Sequence, residues 1–199
     1  CKNVLIEDCF FDTGDDCIAI KSGRNRDGRK WNVPSENIIV RNCEMKNGHG
    51  GVVIGSEISG GYKNLFVEDC NMDSPELDRV IRIKSSTCRG GLIENLFVRN
   101  IKVGQCKEAV LRIELTYESK EDCVRDFPPT VKNLWMQNIT CQKSRYGVYI
   151  TGLEDDSRVD GIHLENCEFN NVADNNKITG ARNIRFTNLK INGSPVVNP

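Results

Sequence analysis

Two adjacent acids, Asp15 and Asp16, stand directly before a short apolar segment and are the first candidates for chemistry. Apolar residues alternate along residues 17–21, which predicts a strand with Lys21 on its outward face. Gly14 lets the backbone leave β geometry before the strand, so both carboxylates can face one cleft. Paired acids beside an outward lysine indicate acid/base chemistry on an anionic substrate, although a solvated turn is the competing interpretation.

Length and charge limit the classes of protein that fit. The chain has 199 residues, a hydrophobic content of 38% and a net charge of −1. These values predict one domain over residues 1–199, with no global field for nucleic acid and no apolar run long enough for a membrane partner. No signal peptide opens the chain, and Cys1 falls directly in a patterned segment. We therefore expect this sequence to continue a longer protein.

The ten cysteines do not suggest a disulfide framework. Four of them occupy the same position of a repeat, which predicts free thiols in a buried column, namely Cys9, Cys43, Cys70 and Cys167. One loop disulfide is compatible with the remaining positions Cys88, Cys106, Cys123 and Cys141. The sequence has no CxxC pair, which argues against zinc, and we expect neither a metal nor a cofactor.

Seven copies of one pattern organise the chain. Each copy begins with Asn or Gly, continues with alternating apolar residues and ends with Asn or Asp before a second short apolar element; the copies start at residues 3, 37, 64, 95, 133, 161 and 183. Such variable spacing predicts a solenoid. Neither a leucine-rich consensus nor long helical periodicity is present, so an all-β, right-handed parallel β-helix fits best. The Asn after each strand suits a left-handed turn with stacked amides.

The strands that follow these copies align into columns. Residues 15–21 match residues 49–55 without a gap, and the next strands begin at Ile81, Leu111 and Val148. One outward column then contains Ala19, Val53, Arg82, Arg112 and Tyr149, and another contains Lys21, Gly55, Lys84, Glu114 and Thr151. The same alignment places His49 beside Asp15 on the neighbouring coil. One outer face is therefore predicted to gather acids, an imidazole and cations.

Insertions between the strands are predicted to be loops that build the binding face, at residues 24–36, 73–79, 104–108, 117–131 and 152–160. The first adds positive charge near Lys21, and its Trp31 either stacks on a sugar ring or anchors the loop. Bare backbone in the tract Gly48–Gly51 and at Gly55 is expected to let a bulky ligand approach. His163, in a first-strand position, receives no role.

Three ordered motifs resemble glycoside hydrolase family 28, the polygalacturonases. They are Gly14-Asp15-Asp16, Gly48-His49-Gly50 and Arg82-Ile83-Lys84, and their fuller strings are similar to bacterial, exo-acting members. The resemblance covers essentially the whole chain. It implies hydrolysis of α-1,4-linked polygalacturonate with inversion, a pectic polysaccharide or oligogalacturonide as partner, and a secreted or periplasmic location. We expect a monomer.

The resemblance also assigns roles to residues of this chain. Asp15 would protonate the glycosidic oxygen, Asp16 would help to activate water, and His49 would support the protonation of the acid. Arg82 and Lys84 would hold the galacturonate carboxylate; Tyr117 and Lys21 complete the expected binding residues, Tyr117 as the best match to a family tyrosine. Inversion needs carboxylates far enough apart to admit a water.

One family motif is missing from the sequence. The family carries an Asn-Thr-Asp motif about one coil before the paired acids, and its aspartate is the partner base; these 199 residues do not contain it. We therefore expect a C-terminal portion that is inactive on its own. Two alternatives stay open, namely a non-catalytic polyuronate-binding β-helix and a pectate lyase, whose chemistry needs calcium and an arginine base.

Overall fold

A computed structural model describes residues 1–117 and 121–199 as a parallel β-helix, in which each turn of the chain adds one strand to each of two sheets. The first sheet contains the longer strands β1 (Lys2–Glu7), β4 (Ser35–Arg41), β7 (Tyr62–Glu68), β10 (Leu92–Val103), β12 (Thr130–Cys141), β14 (Val159–Phe169) and β16 (Arg182–Ile191). Short strands β2 (Phe10–Phe11), β5 (Glu44–Met45) and β8 (Asn71–Met72) extend it, and β17 (Ser194–Pro195) pairs antiparallel with β16.

The second sheet faces the first across the core. Its strands are β3 (Ile18–Ile20), β6 (Val52–Gly55), β9 (Arg79–Lys84), β11 (Ala109–Glu114), β13 (Tyr146–Thr151) and β15 (Lys177–Thr179), in coil order. Ile18 pairs with Val52 and Val52 with Ile81, and the register continues through Leu111 to Val148. These side chains are buried, as the alternation predicts. The predicted fold class is confirmed, including its right-handed coil.

Left-handed residues bracket the apolar segment of each repeat copy, and in β10, β12, β14 and β16 both of them lie within the longer strand. The predicted Asn or Asp at the end of this segment has positive φ in all seven copies: Asp8, Asn42, Asp69, Asn100, Asn138, Asn166 and Asn188. The residue that begins each copy also has positive φ, which the sequence did not lead us to expect: Asn3, Asn37, Asn64, Asn95, Asn133, Gly161 and Asn183. Asn side chains bridge the coils at both positions, for example Asn64 Nδ2 to Asn37 Oδ1 at 2.8 Å.

The insertions differ in part from the predicted loops. A helix α1 (Asn25–Trp31) forms within residues 24–36, and a 3₁₀ turn (Asp156–Arg158) forms within residues 152–160. Asn32 ends α1 in left-handed geometry with φ of 48°, a conformation that asparagine tolerates well. Residues 118–120 of the fourth insertion lie outside the described residues.

The cysteines behave as predicted. Cys43, Cys70 and Cys167 are buried free thiols, Cys9 is a partly buried one, and Cys88 forms a disulfide with Cys123. Within the described ranges, no helix has the length and apolar character needed to cross a lipid bilayer.

The Asn ladder should contribute measurably to stability. Asn64→Ala removes the bridges to Asn37 and Asn95 and places alanine at φ of 62°, so we expect a loss of about 2–3 kcal/mol in the free energy of unfolding. Glycine adopts positive φ without strain, so the Asn64→Gly variant should recover about 1 kcal/mol of that loss. Urea denaturation of both variants measures this; an alanine variant as stable as the parent would contradict it.

Candidate active site

The second sheet brings the paired acids and the imidazole together through backbone contacts between coils. His49 N donates to Asp15 O at 3.1 Å, and Cys17 N donates to Gly50 O at 2.8 Å. This pairing matches the ungapped alignment of residues 15–21 with residues 49–55. As a result, His49 Nδ1 lies 3.0 Å from Asp15 Oδ1.

The two acids have different surroundings. The Asp15 side chain is 81% exposed, whereas the Asp16 side chain is 6% exposed and pairs with Lys84 Nζ at 2.9 Å. The backbone N–H of Asp16 donates to Asp15 Oδ1 and, together with His49, lowers the pKa of Asp15 despite an opposing effect of burial. Asp16 Oδ1 is buried and has no hydrogen-bond partner among the described residues. One acid thus faces solvent, and the other keeps one oxygen free inside the site.

Two cations of the outward columns, Arg82 and Lys84, are buried, although they were expected on an open face. The side chains of Arg82 and Lys84 are both 9% exposed, so neither is a freely solvated strand charge. Burial lowers the pKa of Lys84, and the hydrogen bond to Asp16 opposes that effect. Burial and the nearby Arg79 also lower the pKa of Arg82.

Arg82 is the cation with the weakest acidic partner in this region. Its Nη2 lies 3.8 Å from Glu114 Oε2, and its Nε has no hydrogen-bond partner among the described residues. In contrast, Lys84 has Asp16 at 2.9 Å. The ring of Tyr117 lies 5.8 Å from both cationic centres. Arg82 is therefore the cation best placed to accept an additional carboxylate.

All seven predicted site residues line one cavity of about 500 Å³: Asp15, Asp16, Lys21, His49, Arg82, Lys84 and Tyr117. The same cavity is lined by four residues that the sequence reasoning missed: Ser56, Glu57, Asp78 and Arg79. A signal for two of these was present. Counted back from Ile81, Arg79 takes the strand position of Asp16 and Asp78 that of His49. Arg79 pairs with Asp78 at 3.0 Å, and Lys21 pairs with Glu57 at 2.5 Å.

The rest of the positive insertion lies elsewhere. Helix α1 carries Arg29 away from the cavity, where it donates to Cys88 O at 2.7 Å and stacks on Phe127. Trp31 is 73% exposed and lines a separate concave surface, so burial does not anchor the insertion through it; sugar stacking by Trp31 stays a prediction. Lys21, which precedes this insertion, lines the cavity, whereas none of the described residues 24–36 does.

The glycines serve coil packing and not ligand access. Gly48 has φ of 143°, and a Cβ there would lie 2.4 Å from Asp15 O. Gly55 has φ of 104°, and its Cβ would meet the carbonyl oxygen of Lys84. Cβ atoms at Gly50 and Gly51 would also contact neighbouring side chains and not open space. The expectation that these glycines admit a bulky ligand was wrong.

A metal ion fits this site poorly. Ligand atoms of Asp15, Asp16 and His49 lie within 4.8 Å of one another, which is close enough for a cation. However, Asp15 and His49 already contact each other, and Asp16 is paired with the ammonium group of Lys84. A cation would have to displace these contacts beside a positive charge.

The comparisons with known proteins agree with this fold. A family model described as Glycosyl hydrolases family 28 matches residues 1–184, so the chain belongs to that family, as its motifs predict. An exopolygalacturonase from Thermotoga maritima has a similar structure, with a TM-score of 0.90 and 36% identity, over 98% of this chain and 43% of that chain. The exopolygalacturonase of Yersinia enterocolitica shares the fold, with a TM-score of 0.67 and 21% identity, over 95% of this chain and 35% of that chain.

Curated relatives support the same family. An exo-poly-alpha-D-galacturonosidase of Dickeya chrysanthemi is 28% identical over 98% of this chain, and a "Probable polygalacturonase" of Vitis vinifera is 34% identical over 55% of it. The chain spans 34% and 22% of the length of these two relatives. The resemblance to bacterial, exo-acting members is confirmed.

The contact between His49 and Asp15 should be visible in a titration. His49→Ala removes a hydrogen bond and a nearby charge, so the pKa of Asp15 should rise toward its ordinary value while staying partly lowered by the N–H of Asp16. Carboxyl ¹³C NMR measures this. Since the folded pKa is lowered, the ionised Asp15 stabilises the fold at higher pH, and that contribution is lost as pH falls through the lowered pKa.

His163→Ala is the matched control for this titration, because His163 stacks on Trp135 in the first sheet, with ring centroids 4.2 Å apart. It should leave the Asp15 titration unchanged. An equal shift in both variants would rule out a specific contact.

Proposed function

We propose that the protein hydrolyses α-1,4-galacturonosidic bonds of polygalacturonate, with Asp15 as general acid and Asp16 assisting the attacking water. The observation that carries the proposal is the cavity that combines these acids with Arg82, the weakly paired buried cation. A uronate sugar supplies the carboxylate that Arg82 lacks, and a guanidinium binds carboxylates in bidentate geometry. Membership of glycosyl hydrolases family 28 supports the same reaction class.

Asp15 needs a proton to act as the acid, and its surroundings in the free site oppose this. Two hydrogen bonds stabilise its charged form, and its side chain is 81% exposed. A sugar over Arg82 excludes water from Asp15 and brings a negative charge close to it; both effects raise a carboxyl pKa. His49 stands 3.0 Å from Asp15 Oδ1 and can hand over a proton when it is charged. Substrate binding and protonation of Asp15 are therefore coupled.

Asp16 is suited to contact water. Its Oδ2 pairs with Lys84, which leaves the unpartnered Oδ1 to accept a hydrogen bond from a water molecule. Lys84 donates a hydrogen bond to Asp16 and fixes the position of that carboxylate. Part of the positive charge of Lys84 is therefore already balanced before substrate binds. Arg82 then provides the main attraction for the sugar carboxylate, with Lys21, Lys84 and Tyr117 around it.

We propose inversion of configuration, in which Asp16 shares water activation with the upstream aspartate of the family. An oxygen of Asp15 and an oxygen of Asp16 lie within 4.8 Å of each other, closer than the acid and base of inverting enzymes. The separated base of the proposal is therefore that upstream aspartate, outside these 199 residues.

The compartment and the assembly follow from the same proposal. A pectic polysaccharide is found outside the cytoplasm of the organism that degrades it, so we propose a secreted or periplasmic protein. We also propose that it is a monomer and that residues 1–199 belong to a single β-helix domain, truncated at the N-terminus of this sequence.

Asp15→Asn tests the acid. The amide cannot donate a proton to the leaving oxygen, so turnover should fall at least about 10³-fold while binding of oligogalacturonate changes little. The assay measures new reducing ends released by the longest chain that contains this sequence, and calorimetry measures binding. Asp174→Asn is the control, because Asp174 pairs with Arg145 away from the cavity. Retained turnover would remove Asp15 as the acid.

The same assay separates the two alternatives. Binding of oligogalacturonate without any product from the parent would favour a non-catalytic polyuronate-binding protein. A product that absorbs in the ultraviolet, formed only with calcium and lost on chelation, would favour a lyase. The ion pair between Lys84 and Asp16 speaks against calcium at this site.

Arg82→Ala tests the grip on the carboxylate. Removing the charged contact should weaken oligogalacturonate binding by roughly 10- to 100-fold, which corresponds to about 1.5–3 kcal/mol for a charge-assisted hydrogen bond. Arg99→Ala is the matched control, since Arg99 pairs with Glu68 on the exposed face of the first sheet. Equal affinities for the Arg82 variant and the parent would place the substrate carboxylate elsewhere.

A further inference from the structure

One buried guanidinium joins three segments of the chain beside the cavity. Arg89 follows strand β9, and its side chain is 4% exposed. Its Nη1 donates to Asn25 Oδ1 at 2.6 Å and to Glu121 Oε2 at 3.0 Å, and its Nη2 donates to Glu121 Oε1 at 2.7 Å. The same Nη2 lies 3.5 Å from Glu57 Oε1. Helix α1, the turn after β9 and the segment that contains Glu121 therefore meet at one side chain.

A second arginine completes this cluster. Arg24 Nη2 pairs with Glu121 Oε1 at 2.5 Å, and Asn25 Nδ2 donates to Glu121 Oε2 at 2.8 Å. The hydrogen bonds from Arg89 and Arg24 lower the pKa of Glu121 well below its usual range. Glu121 is therefore ionised over the working range of pH. Its carboxylate is held in position by Arg24, Asn25 and Arg89.

The cluster reaches the cavity through Glu57. Lys21 Nζ lies 2.5 Å from Glu57 Oε2, and both residues line the cavity. Burial raises the pKa of Glu57, but the hydrogen bond from Lys21 and the charges of Lys21 and Arg89 lower it overall. Glu57 is therefore a carboxylate held between two cations. Without Arg89, a less balanced negative charge would line a cavity that must admit another carboxylate.

The cluster also reaches the opposite wall of the cavity. Tyr117 N donates to Ser85 O at 3.1 Å, and the disulfide between Cys88 and Cys123 ties the following segment to the turn that contains Arg89. Arg29 stacks on Phe127 with its Cζ 3.5 Å from the ring centroid, which adds a further tie to the same segment. Arg89 is thus linked to Lys21 through Glu57, and to the segment that contains Glu121, Cys123 and Phe127.

We propose that Arg89 is a positioning residue that sets the selectivity of the cavity for a free uronate carboxylate. It does so by balancing the charge of Glu57, which keeps Lys21 in place, and by holding the segment that contains Glu121 against the turn after β9. The inference rests on the proposed uronate substrate but not on the catalytic steps. It assigns to Arg89 an effect on the discrimination between acidic and esterified sugar.

The experiment compares two ligands that differ at the carboxyl group. Trigalacturonate and its methyl ester are titrated by calorimetry against the protein, the Arg89→Met variant and the Arg89→Lys variant. The protein should bind the acid more tightly than the ester. In R89M the affinity for the acid should fall about tenfold, because the unbalanced charge of Glu57 repels the carboxylate of the ligand. The affinity for the ester, which carries no such charge, should change little. R89K keeps the charge without the planar fork, so its loss should be smaller.

A double variant and a control isolate the cause. Glu57→Gln in the R89M background removes the unbalanced charge and should restore part of the affinity for the acid. Leu134→Ala creates a cavity in the buried core at the first sheet and lowers stability without touching the site, so it should leave the ratio of acid to ester affinity unchanged.

The outcomes separate this inference from the proposed function. An unchanged affinity ratio in R89M, or in the likewise uncharged Arg89→Gln variant if R89M does not fold, would overturn the positioning role even if the melting temperature falls. Failure of the parent protein to prefer the acid would instead overturn the uronate substrate itself.

Discussion

The register between neighbouring coils is the constraint on which the site depends. Strands of the second sheet pair residue by residue from β3 to β15, so a side chain's position in one coil fixes which side chains it meets in the next. Left-handed residues at both ends of the apolar segment of each repeat copy, bridged by Asn side chains, hold each coil to the same path. A slip of one residue would turn the cavity residues inward and the core residues outward.

The register between coils brings charged residues of both signs into one cavity, where most of them are paired. Among the described residues, four acids and four cations line it: Asp15, Asp16, Glu57 and Asp78, with Lys21, Arg79, Arg82 and Lys84. Close ion pairs satisfy Lys21, Arg79 and Lys84, whereas Arg82 has its acid at 3.8 Å. Buried charges are costly without close partners. The cavity is therefore prepared for one more carboxylate, next to an exposed acid that has an imidazole beside it.

The sequence was sufficient for the fold and for the convergence of the site residues, because both follow from periodicity. The alignment of residues 15–21 with residues 49–55 carried enough information to place His49 beside Asp15. The sequence did not predict which outward side chains are buried. Arg82 and Lys84 stand on the outward face of a strand, yet both are almost fully removed from solvent. Helix α1 was also missed, since seven polar-rich residues carry little periodicity. Contacts such as those of Arg89 with Glu57 and Glu121 join turns and insertions outside the repeated segments, and no repeat pattern encodes them.

A crystal structure of the protein with bound trigalacturonate tests the account most directly. We expect a sugar carboxylate within hydrogen-bond distance, about 2.7–3.2 Å, of the Arg82 guanidinium, with the Asp15 carboxyl group facing a glycosidic oxygen. A saccharide bound on another face of the β-helix, or a carboxylate in the cavity that leaves Arg82 unpaired, would contradict it.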